Sequence, residues 1–267
     1  MADDKILIER QGRIAIVTMN DPGTRNALTP PVVGGLCDFL AKANDDPTLG
    51  CIVLAAAGKG FCSGGNVKDM LEGNDPMFRG TPHEMAEGYR AGAQMLTKLF
   101  AKLDVPAIAA VQGPAIGAGC DLACMCDIRI ASPDAKFAES FLRVGLVSGD
   151  GGAWLLPRVV GLPRALEMAL TCRMLDANEA KEWGLVTHVV EADKLLDYAL
   201  EMARTIASFP PRSARLNKRL ILQSQNMGLT ESLELSSAFQ AMVQSTADQK
   251  EAVAALLEKR APNYIGR

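Results

Sequence analysis

The chain has 267 residues, with 28 Lys and Arg against 31 Asp and Glu, for a formal net charge of −3. That length suits one large domain or a domain with an appendage, and 48% apolar with 22% charged residues excludes wholesale disorder. A slightly acidic chain without a Lys/Arg block lacks the electrostatic footprint for nucleic acid or an anionic membrane, so neither is expected as a partner. No apolar run approaches the roughly 18 residues of a membrane span. Met1-Ala2-Asp3-Asp4-Lys5 carries no apolar signal segment, and a cytoplasmic location is expected.

Residues 13–19 read as a strand ended by Asn20-Asp21-Pro22-Gly23. A helix follows from Thr29-Pro30 toward Ala43, then a short buried strand at 51–55 and a glycine-dense loop at 58–65. Residues 72–84 are polar, with Gly73, Pro76, Gly80 and Pro82, and read as a mobile loop. Met85, Tyr89, Leu96, Leu99, Phe100 and Leu103 recur at helical spacing and predict one long amphipathic helix. Strands are expected at 106–111, 127–131 and around Phe137; Gly117-Ala118-Gly119 opens a helix between the first two, and another starts near Ala153 after a turn at 148–152. This rhythm, with its glycine corners, predicts an α/β core over residues 1–207. Ser208-Phe209-Pro210-Pro211 breaks it, and 208–267 read as three helices, at 212–226, 229–244 and 248–259. Asp248 and Glu251 fit a capping box at the start of the third. Leu233, Leu235, Phe239, Met242, Val253, Leu256 and Leu257 supply an apolar face for the core or for another subunit.

Cys120, Cys124 and Cys126 fit no zinc spacing and have no histidine near in sequence, so no metal site is expected. The only histidines are His83, in a polar stretch, and His188, in the β-like run 186–190; a histidine-dependent hydrolase would need one of them beside Ser63 or Cys62. Two glycine-rich segments remain, 61–70 and 112–121. In both, small residues leave backbone N–H groups unshielded, and the second leads into a helix N-terminus. Two such groups converging on one point would make an oxyanion hole for a thioester enolate; glycines making tight turns are the plainer alternative. Neither segment is a G-x-G-x-x-G after the first strand, a P-loop or a G-x-S-x-G elbow. Asp121, Glu139 and Asp150 lie in or after the second segment. If two of them face one apolar pocket, their pKa values split into an acid and a base; helix-dipole and turn roles compete with that reading. Lys68 and Arg25 are candidates to meet phosphates.

Taken in order, Arg25-Asn26-Ala27-Leu28, residues 60–66, residues 113–127, Phe137, Gly151-Gly152, residues 180–186 and Glu258-Lys259-Arg260 resemble the crotonase (enoyl-CoA hydratase/isomerase) superfamily over essentially the whole chain. The resemblance implies a spiral of ββα units with a C-terminal helical trimerisation region at 208–267, assembled as a homotrimer or a dimer of trimers. It implies an acyl-CoA thioester substrate, with coenzyme A entering as part of it and no separate cofactor. Carried over position by position, it assigns the oxyanion-hole amides to Gly65 and Ala118. Substrate and CoA contacts fall to Arg25, Ala27, Gly65, Asn66, Val67, Lys68 and Phe141. Of the two hydratase glutamates, the first corresponds to Asp121 and the second to Phe141, which cannot transfer a proton. Asp121 and Asp150, with Glu139 in reserve, are therefore the expected catalytic carboxyls; an extended 139–141 would put Glu139 and Phe141 on one face. Hydration of a 2-enoyl-CoA is the leading expectation, double-bond isomerisation and hydrolytic C–C cleavage follow, and a binding-only protein of the same fold is the alternative outside enzymes.

Overall fold

Residues 14–19, Ile-Ala-Ile-Val-Thr-Met, are apolar toward both sides, and a strand of that kind is stable only when both its faces are covered. The computed structural model of the chain, which describes residues 4–267, supplies that cover. Strand β2 (Ile14–Met19) points Ala15, Val17 and Met19 into one apolar cluster and Ile14 and Ile16 into another. Before it runs β1 (Ile6–Gln11), an antiparallel edge strand joined by a turn in which Gly12 takes φ +59°. The expected elements omit β1, because Glu9, Arg10 and Gln11 on an exposed edge give no burial pattern.

After α1 (Pro30–Ala43), β3 (Cys51–Ala56) pairs parallel with β2. Helices α2 (Val67–Glu72), α3 (Pro82–Ala91) and α4 (Ala93–Ala101) precede β4 (Ala107–Val111), which pairs with β3. The next two turns of chain each give one strand to a large sheet, one to a small sheet, and then helix, and in the last turn the small-sheet strand comes first. β4 is followed by β5 (Ala115–Ile116) and α5 (Ala118–Met125). Next come β6 (Ile128–Ala131), β7 (Lys136–Ala138), α6 (Gly152–Val160) and α7 (Leu162–Thr171). β8 (Leu175–Asp176), α8 (Ala177–Glu182) and β9 (His188–Val189) complete the last turn. The large sheet runs β1-β2-β3-β4-β6-β9 and the small one β5-β7-β8. This is the expected α/β spiral of ββα units. Helix α9 (Leu195–Ala207) lays Leu195, Ala199, Leu200 and Ala203 over Ile14, Ile16, Val53, Ile108 and Ile130 on one face of the large sheet. The larger cluster fills the other face.

Three local expectations differ. Residues 72–84 are built from capped elements rather than open loop. Asp75 accepts the Met77 N–H at 2.9 Å, starting a short 3-10 turn at Pro76–Phe78. Thr81 and Glu84 then form a reciprocal capping box on α3, with bonds of 3.3 and 2.7 Å. The single helix predicted from Met85 to Leu103 is two helices, since Gly92 leaves helical geometry at φ −100°, ψ −110°. Third, strand β7 ends at Ala138 and Phe141 opens a 3-10 turn, so Glu139 and Phe141 do not share an extended face.

The C-terminal helices are α10 (Pro211–Ser224), α11 (Leu229–Gln244) and α12 (Ala247–Glu258). Arg215 donates to the carbonyls of Asn44 and Leu49 at 2.9 and 2.8 Å, and Lys218 pairs with Asp127 at 2.7 Å, fastening α10 to the core. Helix α11 buries no residue, and Leu256 and Leu257 of α12 are 78% and 77% exposed. The cap of α12 is Thr246, not the Asp248–Glu251 pair: its hydroxyl accepts the Gln249 N–H at 3.1 Å. Buried Asp248 instead accepts the N–H groups of Ile265 and Gly266 at 2.7 and 2.8 Å, and Glu251 pairs with Arg260. Those two acids tie the tail back onto the helix.

Candidate active site

The two glycine-rich segments lie side by side. The Ile116 N–H donates to the Cys62 carbonyl at 2.9 Å, and Cys62 and Ala115 form a parallel bridge that extends the small sheet by one turn of the spiral. Gly64 takes φ +78° and Gly117 φ +54°, conformations that favour glycine. Space requires glycine as well: a Cβ on Gly64 would stand 2.5 Å from the Ile116 oxygen and 3.2 Å from the Ala118 nitrogen, and one on Gly119 would collide with the Cys62 carbonyl. The Ala118 nitrogen thus faces the Gly64–Gly65 corner. Among the described residues, neither the Gly65 nor the Ala118 N–H has an intramolecular acceptor.

Asn26, quoted within the family pattern but given no role there, holds this arrangement. It is fully buried with φ +54°; its amide donates to the Ala57 and Gly60 carbonyls at 2.9 and 3.0 Å and its oxygen accepts the Asp21 N–H at 2.9 Å. The Ser63 N–H donates to the Arg25 carbonyl at 3.0 Å and the Leu28 N–H to the Gly64 carbonyl at 2.8 Å. Residues 25–28 are therefore laced to the first glycine segment. Ala27 is buried, while Arg25, Val67 and Lys68 are exposed at the rim and Asn66 is half-buried, capping α2 by accepting the Lys68 N–H at 3.1 Å.

Asp121, Glu139 and Asp150 come together. Their exposures are 0%, 3% and 3%. Glu139 follows β7, whose neighbour β5 leads into α5, and its carboxyl meets Asp121 and Cys120 from that side. Asp150 reaches Asp121 from the loop before α6, which is held in place by Gln94 donating to the Gly149 carbonyl at 2.9 Å and by Thr97 donating to the Asp150 carbonyl. Ser148 donates to Asp121 Oδ2 at 3.3 Å and accepts the Ala153 N–H at 3.2 Å. Gly152 lets the carboxyl sit against the first turn of α6, since a Cβ there would collide with it.

Among the described residues, no lysine or arginine acts on these three acids. Burial pushes the Asp121 carboxyl well above the usual range, and the charges of Glu139 and Asp150 push it further. Burial raises Glu139 to about 7 and raises Asp150 as well, while hydrogen bonds from Asp121 hold both down. Asp121 Oδ1, Glu139 Oε1 and both Asp150 side-chain oxygens lack a donor when all three are ionised. A proton on Asp121 supplies one. The cluster thus presents a protonated acid beside a carboxyl that can ionise, which is the pairing that moves a proton onto and off carbon.

Phe141 is half-buried with its ring edge 3.8 Å from where a Gly117 Cβ would stand, next to the Ala118 amide. Ser63 donates to the Thr24 carbonyl at 3.0 Å, His188 pairs with the Tyr198 hydroxyl at 3.3 Å and His83 is exposed on α3; neither histidine bonds Ser63 or Cys62. Burial pushes the Cys126 thiol up to about 12, and among the described residues no three His, Cys, Asp or Glu side chains are arranged to hold a metal ion. Asn26 and Gly152 are read in the family pattern, and Ser148 in a turn, without a role, because none of the three carries a chemical signature in a sequence.

A spiral of ββα units that sets two glycine-rich corners side by side defines a class of fold, and comparison with known proteins narrows it to a family. The enoyl-CoA hydratase/isomerase profile matches residues 9–267. The chain is 35% identical over 262 residues to the 1,2-epoxyphenylacetyl-CoA isomerase of Escherichia coli, covering 98% of each protein. It is 33% identical over 261 residues to the short-chain-enoyl-CoA hydratase of Clostridium acetobutylicum, covering 96% of each. The crystal structure of an enoyl-CoA hydratase from Bacillus anthracis superimposes with a TM-score of 0.91 at 29% identity, over 98% of this chain and 100% of that one. The chain belongs to the enoyl-CoA hydratase/isomerase family.

Proposed function

We propose that the chain binds an acyl-CoA thioester with its carbonyl oxygen accepting from the Gly65 and Ala118 amides, and hydrates a 2-enoyl-CoA through an enolate. The observation that carries this reading is the pairing of buried Asp150, whose side-chain oxygens have no donor other than a protonated Asp121, with Asp121 itself on the helix that starts at Ala118. Asp150 takes a proton from water, whose oxygen bonds to C3. The electron pair of the double bond passes into the thioester, where the two amides stabilise the enolate oxygen. Asp121 delivers its proton to C2, and the Asp150–Asp121 hydrogen bond returns the proton and resets the pair. Glu139, once ionised above about pH 7, keeps the proton on Asp121 through its negative charge. Arg25 and Lys68 at the rim suit the phosphates of CoA, with Ala27, Asn66 and Val67 along the path between; no separate cofactor enters this chemistry.

Phe141 beside the hole favours a second reading, double-bond isomerisation. There one carboxylate, Asp150, moves a single proton between carbons and no water need be activated. Incubating crotonyl-CoA in heavy-oxygen water, and in parallel in deuterium oxide, separates the two. Hydration puts one labelled oxygen into the thioester, and Asp150→Asn should slow it about 10²- to 10⁴-fold. Failure to incorporate label, with deuterium from solvent appearing at C2 or C4, selects isomerisation; neither label nor exchange rejects both.

The uncovered apolar faces of α11 and α12 support the homotrimer or dimer of trimers. A cavity of about 1760 Å³ between α10–α11 and the core, lined by Phe100, Trp154, Leu155, Phe239 and Val243 among others, adds to that area. No helix among the described residues is long and apolar enough to cross a membrane, and we read the protein as cytoplasmic.

A further inference from the structure

A separate cavity of about 340 Å³ lies between α2, α3 and the loop after β7, lined by Met70, Met77, Phe78, Met85, Tyr89 and Leu146 among others. It adjoins the candidate site on two sides. A Cβ on Gly65 would collide with Met70 Cε, so the Met70 methyl lies against one candidate hole residue. A Cβ on Gly149 would stand 2.8 Å from Tyr89 Cε1, which places that ring against the residue before Asp150. A thioester whose oxygen meets the Gly65 amide, with C2 and C3 beside Asp150, therefore directs the rest of its acyl group into this cavity.

The lining fixes the chemistry of what enters. No charged side chain lines it, and three of the six residues named are methionines, whose unbranched thioethers adapt to an apolar occupant. Phe78 and Tyr89 form an edge-to-face pair at 6.3 Å and 86° that makes one wall. At about 30 Å³ for each small group of atoms, the space takes roughly eight to ten carbons, allowing for incomplete filling.

We propose that this cavity selects the substrate's acyl group, admitting a bulky apolar chain of roughly eight to ten carbons in preference to a short or charged one. The inference rests on the acyl-CoA reading above and adds the class of acyl group. Isothermal titration of the intact protein with acetyl-, butanoyl-, octanoyl- and dodecanoyl-CoA tests it without any turnover. Each methylene buried is worth up to about fourfold in affinity, so octanoyl-CoA should bind at least about thirtyfold more tightly than butanoyl-CoA, with little gain at dodecanoyl. Cinnamoyl-CoA, tested alongside, reports whether an aryl group is accepted as well as a linear one. In Met85→Trp, which fills the cavity from α3, the octanoyl-to-butanoyl ratio should fall toward one. Affinity that stays flat from acetyl to octanoyl in the unsubstituted protein overturns the assignment while leaving the acyl-CoA reading intact. Absence of binding by every thioester overturns both.

Discussion

Replacing Glu139 with glutamine removes one charge from the carboxyl cluster at nearly constant volume, and its effect on stability has a definite sign. In the unfolded chain the Glu139 carboxyl ionises near 4.5, whereas burial keeps it protonated in the fold up to about 7. Between those values the folded state binds more protons than the unfolded one. The contribution is therefore fully present below pH 4.5 and is lost as pH rises through 7. A displacement of that size corresponds to about 3 kcal/mol. Urea unfolding at pH 4.5, 6 and 8, at one protein concentration so that any assembly contributes equally, measures it. The unsubstituted protein should lose about 3 kcal/mol more than Glu139→Gln between pH 4.5 and 8. Asp121 and Asp150 are raised too and act in the same direction, but they remain in both proteins, so the difference reports Glu139 and its coupling to them. Parallel pH profiles for the two proteins would refute the view that these acids share a buried, uncompensated environment.

Asn26→Ala removes three buried hydrogen bonds and leaves their backbone partners without a replacement; a loss of about 2–4 kcal/mol in urea unfolding is expected, and a change within 0.5 kcal/mol, about the size of an ordinary surface substitution, would show that the lacing between residues 25–28 and the first glycine segment does not matter. Gly152→Ala places a methyl on the Asp121 carboxyl. It should cost about 1–3 kcal/mol by overpacking and reduce solvent-deuterium exchange at C2 more than acyl-CoA affinity. Phe141→Glu puts a carboxyl beside Gly117, and if the missing second acid limits hydration, crotonyl-CoA hydration should rise at least about tenfold, roughly the low end of what one acid-base group supplies; an unchanged rate means that position is not limiting.

Much of the fold follows from local pattern. The helix at Pro30–Ala43 and the strands at Ile14–Met19, Cys51–Ala56 and Ala107–Val111 are continuous apolar or amphipathic runs ending at Gly, Pro, Asn or Asp, and such runs read alike in a sequence and in a fold. Where the pattern misled, a competing local interaction explains it. Polar residues at 75–84 are caps rather than linker, and Gly92 interrupts a periodicity that continues across it. The tail at 260–267 decides the roles of Asp248 and Glu251, and no helix-start motif anticipates a partner more than ten positions away.

The sequence by itself determined the main core strands and several of the helices, the family and the three acids worth considering, because these depend on runs of residue types and on motifs a few positions long. The tertiary structure decided what those acids can do. Asp121, Glu139 and Asp150 are far apart along the chain and meet only because β5 lies beside β7 and the N-terminus of α6 closes over α5. Their protonation follows from burial and from one another's charge, and neither quantity exists until the chain has folded.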